Sequence, residues 1–354
     1  MSKSAGSKRV TLEPFRAYVV SNNQFQNMVK EETLSKLVYK ATSLDARIKN
    51  FSIHSPDKTL LLYNGSGGYG DQIMTWPVVN ILQKRGFKVH VMVEPGNESC
   101  WWMQPFVESV QTVPIDLGTW NLFPNHAVFE SVCNYDEHPD QLHPVDAMLL
   151  KIGIDPDGVP ADLKSVAPVF TAAELTKAAS IGGSTAVFQL CASTMTRSLD
   201  ADTSASALSR LATAYPDITW LAVFDRFVNP AYVTLANDLK LPNVRVVEFP
   251  SLRDLWAVIG RSRLVVSPDS MCLHAAGTQG IPCIGLWGMT NPKNRVIYYK
   301  NHIPICKWSV CSHSPCLYSA KGLPPFCPTH DQQSCGVVAA ITPDDILGAA
   351  ASVL

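Results

Sequence analysis

The sequence predicts an α/β protein in which two Rossmann-like domains, each built on a parallel sheet, face a central cleft. Strands and helices alternate in two separate series along the chain. Each series carries a polar turn between an apolar strand and a helix, Gly65-Ser-Gly-Gly-Tyr-Gly-Asp71 in the first and Ser267-Pro-Asp-Ser-Met-Cys-Leu-His274 in the second. Because ligands bind at the carboxyl ends of strands in open α/β sheets, both turns are expected to line the cleft.

The first series occupies the domain predicted at residues 51–165. Its strands are predicted at 59–63, 87–93, 110–115 and 127–132, and its helices at 71–84 and 143–153. Residues 1–50 lack this alternation, and the apolar spacing over 27–48 predicts a helical N-terminal extension.

The second series follows a linker predicted within residues 154–184 and belongs to a domain at 166–354. Its strands are predicted at 185–190, 218–224, 244–249, 263–267 and 283–287, and its helices at 204–215, 230–239, 251–260 and 270–278. The stretch 302–336 is rich in proline, glycine and cysteine and is predicted to be a loop.

Composition narrows the class of protein. Hydrophobic residues make up 46% of the 354 residues and the net charge is −1, so no basic excess indicates a polyanionic partner such as DNA. No apolar run reaches the ~20 residues of a membrane helix. The N-terminus has no apolar segment typical of a signal peptide, and we expect a soluble, cytoplasmic protein.

The glycine turn of the first series supports two hypotheses. Gly65, Gly67 and Gly70 match the dinucleotide fingerprint, and Glu94 follows the next strand where a ribose-binding acid would lie. That pattern is typical of a nicotinamide- or flavin-dependent oxidoreductase. Asp71 argues against it, because a carboxylate at the helix start would repel a diphosphate. The same carboxylate suits a general base, and the alternative for Asp71 is a helix cap.

The turn of the second series indicates a phosphate site. Asp269 ends a strand and Ser270 opens a helix, whose free N–H groups can bind phosphate oxygens. His274 lies one turn further on the same face, and Gly288 and Thr290 follow the next strand at the same sheet edge. The alternatives are an N-cap for Asp269 and a satisfied core histidine for His274.

A third polar segment follows the first strand of the second domain. Ser193, Thr194 and Arg197 offer two hydroxyl groups and a guanidinium, which could neutralise phosphate charge. The alternative is a solvated loop.

The chain has ten cysteines, and five of them are scattered among apolar neighbours as expected for buried thiols. The other five lie within 30 residues, at Cys306, Cys311, Cys316, Cys327 and Cys335. They are candidate ligands of a structural zinc, although their spacing is unlike that of zinc fingers, and reduced or partly oxidised thiols are the alternative.

Taken together, the motifs resemble glycosyltransferase family 9, the ADP-heptose:lipopolysaccharide heptosyltransferases. The family's Gly-Asp pair followed by a proline corresponds to Gly70-Asp71 and Pro77. Its Asp-Ser/Thr-Gly-x-x-His segment and Gly-x-Thr-x-Pro turn correspond to Asp269 through His274 and Gly288 through Pro292. The resemblance covers roughly residues 58–350, with Met271 in place of a glycine and Arg197 where the family often has lysine.

This resemblance implies a GT-B fold and an inverting, metal-independent sugar transfer from a nucleotide-diphospho-sugar, with no other cofactor. Asp71 would remove the acceptor proton and Arg197 would stabilise the leaving diphosphate. The residues expected to bind the donor are Ser193, Thr194, Asp269, Ser270, Met271, His274, Gly288 and Thr290. The glycine turn of the first domain consists of Gly67, Gly68 and Gly70. The acceptor stays open between a glycan, a lipopolysaccharide core and a hydroxymethylated DNA base. A non-catalytic nucleotide-sugar-binding protein is the alternative function.

Overall fold

The computed structural model describes residues 18–20, 38–40, 53–65, 68–129, 142–181, 183–224, 230–249, 251–316 and 335–354. In the first half of the chain the elements are β1 (Tyr18–Val20), β2 (Val38–Lys40), β3 (Thr59–Asn64), α1 (Tyr69–Lys84), β4 (Lys88–Val93), β5 (Ser109–Thr112), β6 (Ile115–Asp116), α2 (Leu117–Asn121), β7 (Asn125–Phe129), α3 (Pro144–Lys151) and α4 (Ala172–Ser180). In the second half they are β8 (Ser184–Gln189), α5 (Ala201–Ala214), β9 (Ile218–Val223), α6 (Pro230–Asp238), β10 (Val244–Val246), α7 (Leu252–Ile259), β11 (Val265–Pro268), α8 (Met271–Thr278), β12 (Cys283–Trp287), α9 (Lys293–Val296), β13 (His302–Cys306), α10 (Gly336–Ala339) and α11 (Pro343–Ala351).

Two parallel sheets form the framework, which confirms the predicted fold class. The first has the strand order β5-β4-β3-β7 and the second has β10-β9-β8-β11-β12-β13. Strand β3 is buried from its second residue onwards because helices cover the sheet, and this explains its continuous apolar run. The polar turns after β3 and β11 therefore lie at the carboxyl edges of their sheets.

Four predicted elements differ from the structure. The helical extension is wrong at Val38–Lys40, which forms strand β2 in a small sheet of order β2-β1-β6, and the rest of 27–48 lies outside the described residues. The strand predicted at 110–115 is divided at Pro114, which has no amide hydrogen to donate to a ladder. The last predicted strand of this half begins earlier, at Asn125. The loop predicted from His302 begins instead with strand β13, which pairs with β12.

The two halves share an apolar core. Trp76 of α1 and Trp256 of α7 are fully buried and meet edge to face, with ring centroids 5.3 Å apart. Such aromatic pairs add about 0.5–1.5 kcal/mol beyond the area that they bury. One cluster of buried core residues has members in both halves, so the two sheets share apolar packing beside the cleft.

A buried arginine adds a polar contact between the halves. Arg253 of α7 is 4% exposed and donates to the Trp102 carbonyl oxygen at 2.8 Å and to the Val169 carbonyl oxygen at 2.6 Å. It also pairs with both carboxylate oxygens of Glu174, at 2.6 and 2.9 Å. The hydrogen bonds from Arg253 lower the pKa of Glu174 to about 2.

Helix α8 carries the second polar turn and packs closely on the segment after α9. A Cβ atom at Gly277 would lie 2.2 Å from Cδ2 and 2.4 Å from Cγ of Tyr299, close to the root of that ring. Only glycine fits there without displacing the ring, so Gly277 fixes the distance between α8 and Tyr299.

Gly277→Ala is expected to destabilise the protein by about 1–3 kcal/mol, because the added methyl group overpacks a site whose neighbour cannot move away. Gly348→Ala is the matched control, since Gly348 also lies in a helix and nothing lies within 4 Å of its added Cβ. That variant is expected to gain about 0.5–1 kcal/mol from helix propensity. Urea denaturation followed by circular dichroism measures both, and a Gly277→Ala midpoint equal to that of the wild type would contradict the packing argument.

Candidate active site

A cleft of about 860 Å³ lies between the two sheets, where the polar turns of both halves meet. The first half lines it with Gly68 to Asp71, Met74 and Glu94 to Asn97. The second half contributes most of its lining from the loops after β8, β11 and β12, including Ser193, Thr194, Arg197, Asp269, Ser270, Met271, His274 and Thr290. The structure therefore brings together most of the residues singled out in the sequence.

Asp71 lies in the first turn of α1 and is not its cap. The N-cap is Gly68, which makes no side-chain capping bond, so the helix-cap alternative for Asp71 is wrong. Burial raises the pKa of the Asp71 carboxyl, while Arg295, His274 and Arg197 act in the opposite direction. A carboxylate in this setting can accept a proton more readily than an ordinary aspartate.

Gly70 allows the start of α1 to rest on helix α8. A Cβ atom at Gly70 would lie 2.8 Å from Cδ2 of His274. The glycine of the Gly70-Asp71 pair is therefore needed for the contact between the two halves. His274 is 2% exposed, as the core alternative supposed, but it also lines the cleft.

Asp269 does not cap helix α8 either, because the N-cap is Ser270. Its Oδ2 atom accepts a 2.8 Å hydrogen bond from the Thr290 hydroxyl, and its Oδ1 atom lies 3.7 Å from Nε2 of His274. Burial opposes ionisation, yet His274 and the guanidinium groups of Arg197 and Arg295 hold the pKa of Asp269 well below its usual range. Asp269 is thus a permanent anion within the cleft.

The imidazole of His274 is held between two partners. Its Nδ1 atom is 3.0 Å from the Tyr299 hydroxyl, on the side away from Asp269. Burial raises the pKa of Tyr299, so this phenol stays protonated over the physiological range. The ring orientation of His274 is consequently set by Tyr299, which the sequence pattern does not reveal.

The Ser270 hydroxyl is oriented by Gln189 at the end of β8. Nε2 of Gln189 donates to Ser270 Oγ at 2.9 Å, and Oε1 of Gln189 accepts from Ser267 Oγ at the same distance. Ser270 Oγ accepts this bond and keeps its own hydrogen to donate. The hydroxyl lies at the N-terminus of α8, where backbone N–H groups favour an anion.

Arg197 connects the loop after β8 to Asp269. Its Nη1 atom donates to the Asp269 carbonyl oxygen at 2.8 Å, its Nε atom donates to Thr194 Oγ1 at 3.1 Å, and its Nη2 atom donates to Ser193 Oγ. A guanidinium has five N–H donors, so these three bonds fix its position and leave further donors for a ligand. The side chain is ordered by its neighbours, which weakens the solvated-loop alternative.

Of the remaining predicted residues, Met271 lies in the cleft lining and Gly288 does not. Met271 lines the cleft, and its Sδ atom accepts from the Trp256 indole at 2.9 Å. Gly288 lies outside the cleft lining, where a Cβ atom would be 2.5 Å from Val338. Gly67 lies outside the described residues.

Arg295 is a cleft residue that the sequence analysis did not single out. It lies on α9, is 4% exposed and has the largest lowering effect on the pKa of Asp71. Nδ1 of His143 accepts from the Val145 amide, so Nε2 carries the hydrogen that it donates to the Arg295 carbonyl oxygen at 3.1 Å. Arg295 lies just beyond the turn after β12 that carries Gly288 and Thr290, but its proximity to Asp71 comes from the fold and not from that motif.

Tyr63 contacts two residues of the dinucleotide fingerprint. The Tyr63 hydroxyl lies 2.8 Å from a Cβ atom built at Gly65, and it donates to Glu94 Oε1 at 2.9 Å. Gly65 and Glu94, two positions of the fingerprint, are therefore both next to this tyrosine, and Gly67 lies outside the described residues.

The cysteine-rich segment contacts the turn that carries Thr290. The Cys316 amide donates to the Met289 carbonyl oxygen at 2.9 Å, and Sγ of Cys335 lies 3.2 Å from a Cβ atom built at Gly288. Cys306 and Cys311 are part-buried in the same segment, and Cys327 lies outside the described residues. Within the described ranges, no three His, Cys, Asp or Glu side chains are grouped so that they could hold a metal ion.

Several solved structures share this fold. The chain matches E. coli ADP-heptose LPS heptosyltransferase II with a TM-score of 0.64 and 12% identity, over 83% of this chain and 98% of that one. It matches a family 9 glycosyl transferase from Veillonella parvula with a TM-score of 0.59 and 13% identity, over 84% and 97%. It also matches the iron-containing dodecameric glycosyltransferase TibC from enterotoxigenic E. coli with a TM-score of 0.56 and 12% identity, over 84% and 76%. No curated protein sequence matches the chain.

These likenesses establish the fold as GT-B, the architecture of nucleotide-sugar-dependent glycosyltransferases. The model of glycosyltransferase family 9 (heptosyltransferase) matches residues 232–324, about a quarter of the chain. The resemblance drawn from the motifs is thereby confirmed, and the chain is a glycosyltransferase. In the part of the chain that the structure describes, every helix is too short or too polar to cross a membrane.

Proposed function

We propose that the protein transfers a sugar from a nucleotide-diphospho-sugar to an acceptor hydroxyl, with inversion at the anomeric carbon and without a catalytic metal. The observation that carries this proposal is the opposition across one cleft of a buried carboxylate, Asp71, and an anion-binding helix start at Ser270. A base on one wall and a site for the leaving group on the other are what a single displacement requires.

The donor diphosphate would lie against the second half. Arg197, Ser270 and Met271 at the start of α8 all belong to the cleft lining, and together they offer guanidinium, hydroxyl and backbone N–H donors. Donors fixed in advance stabilise the charge that develops on a leaving group without reorganisation. Structures that share the fold include one described as a complex with ADP-D-beta-D-heptose, and ADP-heptose is therefore the first donor to test.

Asp71 would take the proton of the acceptor hydroxyl as that oxygen attacks the anomeric carbon. The preceding residue, Gly70, would keep it near the donor, because Gly70 rests on His274 and His274 faces Asp269. Inversion follows from a single displacement through a state with oxocarbenium-like character. Cytoplasmic location and the division at residues 51–165 and 166–354 stay predictions.

Calorimetric titration with ADP and ADP-heptose, in the presence of chelator, tests the donor site. Arg197→Ala is expected to weaken binding about 10- to 100-fold, because charge-assisted hydrogen bonds contribute about 1.5–3 kcal/mol. Asp269→Ala is expected to weaken binding as well, because Asp269 Oδ2 holds the Thr290 hydroxyl in the cleft lining. Arg210→Ala is the matched control, since Arg210 pairs with Asp344 on the exposed surface. Unchanged affinity of both cleft variants for ADP and ADP-heptose would contradict the placement of the donor against the second half.

Asp71→Asn is expected to lower the transfer rate about 10²–10⁴-fold while donor affinity persists, because the change removes the base and keeps the shape. Burial raises the pKa of Asp71, so the ionised form destabilises the fold and the variant is expected to melt at the same or a higher temperature. A merely structural aspartate would lose stability instead. Asp162→Asn, at an exposed position of the first half, is the control.

The pH dependence provides a second measurement on the same base. The raised pKa of Asp71 means that the rate falls as pH drops through that pKa, above the range of an ordinary aspartate. Arg295 lowers this pKa, so Arg295→Gln is expected to move the rising limb of the rate profile to higher pH. Transfer by Asp71→Asn at the parent rate would show that Asp71 is not the base. Donor binding with no transfer by the wild type would favour the non-catalytic alternative.

Chelation tests both metal proposals. EDTA-treated protein is expected to retain its transfer rate, and a loss restored by Mg²⁺ or Mn²⁺ would contradict the metal-independent reaction. Elemental analysis for zinc and iron tests the candidate structural site at Cys306, Cys311, Cys316, Cys327 and Cys335. About one metal per chain, lost on chelation together with melting temperature, supports a structural metal, whereas ten titratable thiols without metal indicate a reduced segment.

A further inference from the structure

The charges on the two walls of the cleft differ in sign. Among the described residues, the first half lines the cleft with two carboxylates, Asp71 and Glu94, and with no lysine or arginine. Both arginines of the lining, Arg197 and Arg295, belong to the second half, as does Asp269. The lining therefore holds three carboxylates against two guanidinium groups before any substrate binds.

A bound donor would place its diphosphate near Arg197 and Arg295, the two guanidinium groups of the cleft lining. Arg197 and Arg295 already interact electrostatically with Asp71 and Asp269, and a donor diphosphate adds about two further negative charges to the same region. An acceptor that carried a phosphate or carboxylate would then face Asp71 and Glu94, and no lysine or arginine lies on that wall among the residues that the structure describes. Like charges placed together in a binding site cost several kcal/mol and act as a device for specificity.

Glu94 is held in place to meet an acceptor. It follows β4, and Tyr63, which is fully buried on the adjacent β3, donates to Glu94 Oε1 at 2.9 Å. The carboxylate lines the same wall as Asp71. An ionised carboxylate only accepts hydrogen bonds, and its several lone pairs allow it to receive hydroxyl groups in addition to the one from Tyr63.

From these observations, and on the basis of the proposed function, we infer that the acceptor is an uncharged polyhydroxy compound such as a neutral sugar, whose hydroxyls are received by Glu94. Phosphorylated and carboxylated sugars, and nucleic acid, are rejected by repulsion from the Asp71 and Glu94 wall.

Competition measured by saturation-transfer NMR, with ADP held at saturation, tests this inference. The probes are glucose and mannose, each compared with its own 6-phosphate. The wild type is expected to bind the neutral sugar at least about tenfold more tightly than the phosphate ester. Glu94→Gln is expected to weaken binding of the neutral sugar and to reduce the preference for the neutral sugar over its phosphate ester about tenfold. Tyr63→Phe is expected to have the same two effects to a smaller extent. Glu108→Gln, which removes an exposed carboxylate outside the cleft lining, leaves both unchanged.

Three results would overturn the inference: equal or tighter binding of the phosphate esters by the wild type, undiminished discrimination in a folded Glu94→Gln variant, or no binding of any neutral sugar. The melting temperatures of Glu94→Gln and Tyr63→Phe show whether each variant is folded. Failure of the proposed function has a separate signature, because the wild type would then fail to bind ADP and ADP-heptose in the calorimetric titration.

Discussion

The contact between Gly70 and His274 is the constraint on which the site depends. It brings the first turn of α1 in one Rossmann-like half against helix α8 of the other. Asp71 and Asp269, which follow strands of different sheets, therefore share one pocket. Two carboxylates in a buried space repel each other, and the arrangement is tolerable only because guanidinium groups lie beside both. The two acids respond in opposite directions, with the pKa of Asp71 raised and that of Asp269 lowered. This separation gives one cleft both a proton acceptor and a permanent anion.

Contacts outside the cleft keep that geometry rigid. The Trp76 and Trp256 pair joins α1 to α7, and Arg253 bonds to three separate partners in the first half and the connecting segment. A buried arginine costs desolvation energy, which the four hydrogen bonds of Arg253 offset, and such a residue can serve to fix an orientation. Here it fixes α7, whose Trp256 also donates a hydrogen bond to Met271 at the start of α8. The site is thus supported by the same core that joins the halves.

Much of this architecture could be predicted from the sequence, because buried parallel strands and glycine-bounded turns leave strong local signals. The strands β3, β4, β8, β9 and β12 and both polar turns lie where the pattern placed them. The residues that escaped prediction act over long distances. Arg295, Tyr299 and Gln189 have ordinary local surroundings in the sequence, and their roles come from contacts with residues about 25 to 80 positions away or more. Strand β2 escaped because its pairing partner, β1, lies in a different part of the chain.

The glycine turn after β3 shows how a motif is redefined by its neighbours. Its spacing matches the dinucleotide fingerprint, in which glycines leave room for a pyrophosphate. In this chain the Tyr63 side chain lies against Gly65, and the His274 ring lies against Gly70, so protein atoms use the room instead. Glu94, the acid that the fingerprint assigns to a ribose, instead accepts a hydrogen bond from Tyr63 and lines the cleft with Asp71. The first half therefore presents two carboxylates to the cleft. In the proposed reaction they meet the acceptor hydroxyls, and the helix start in the other half binds the diphosphate.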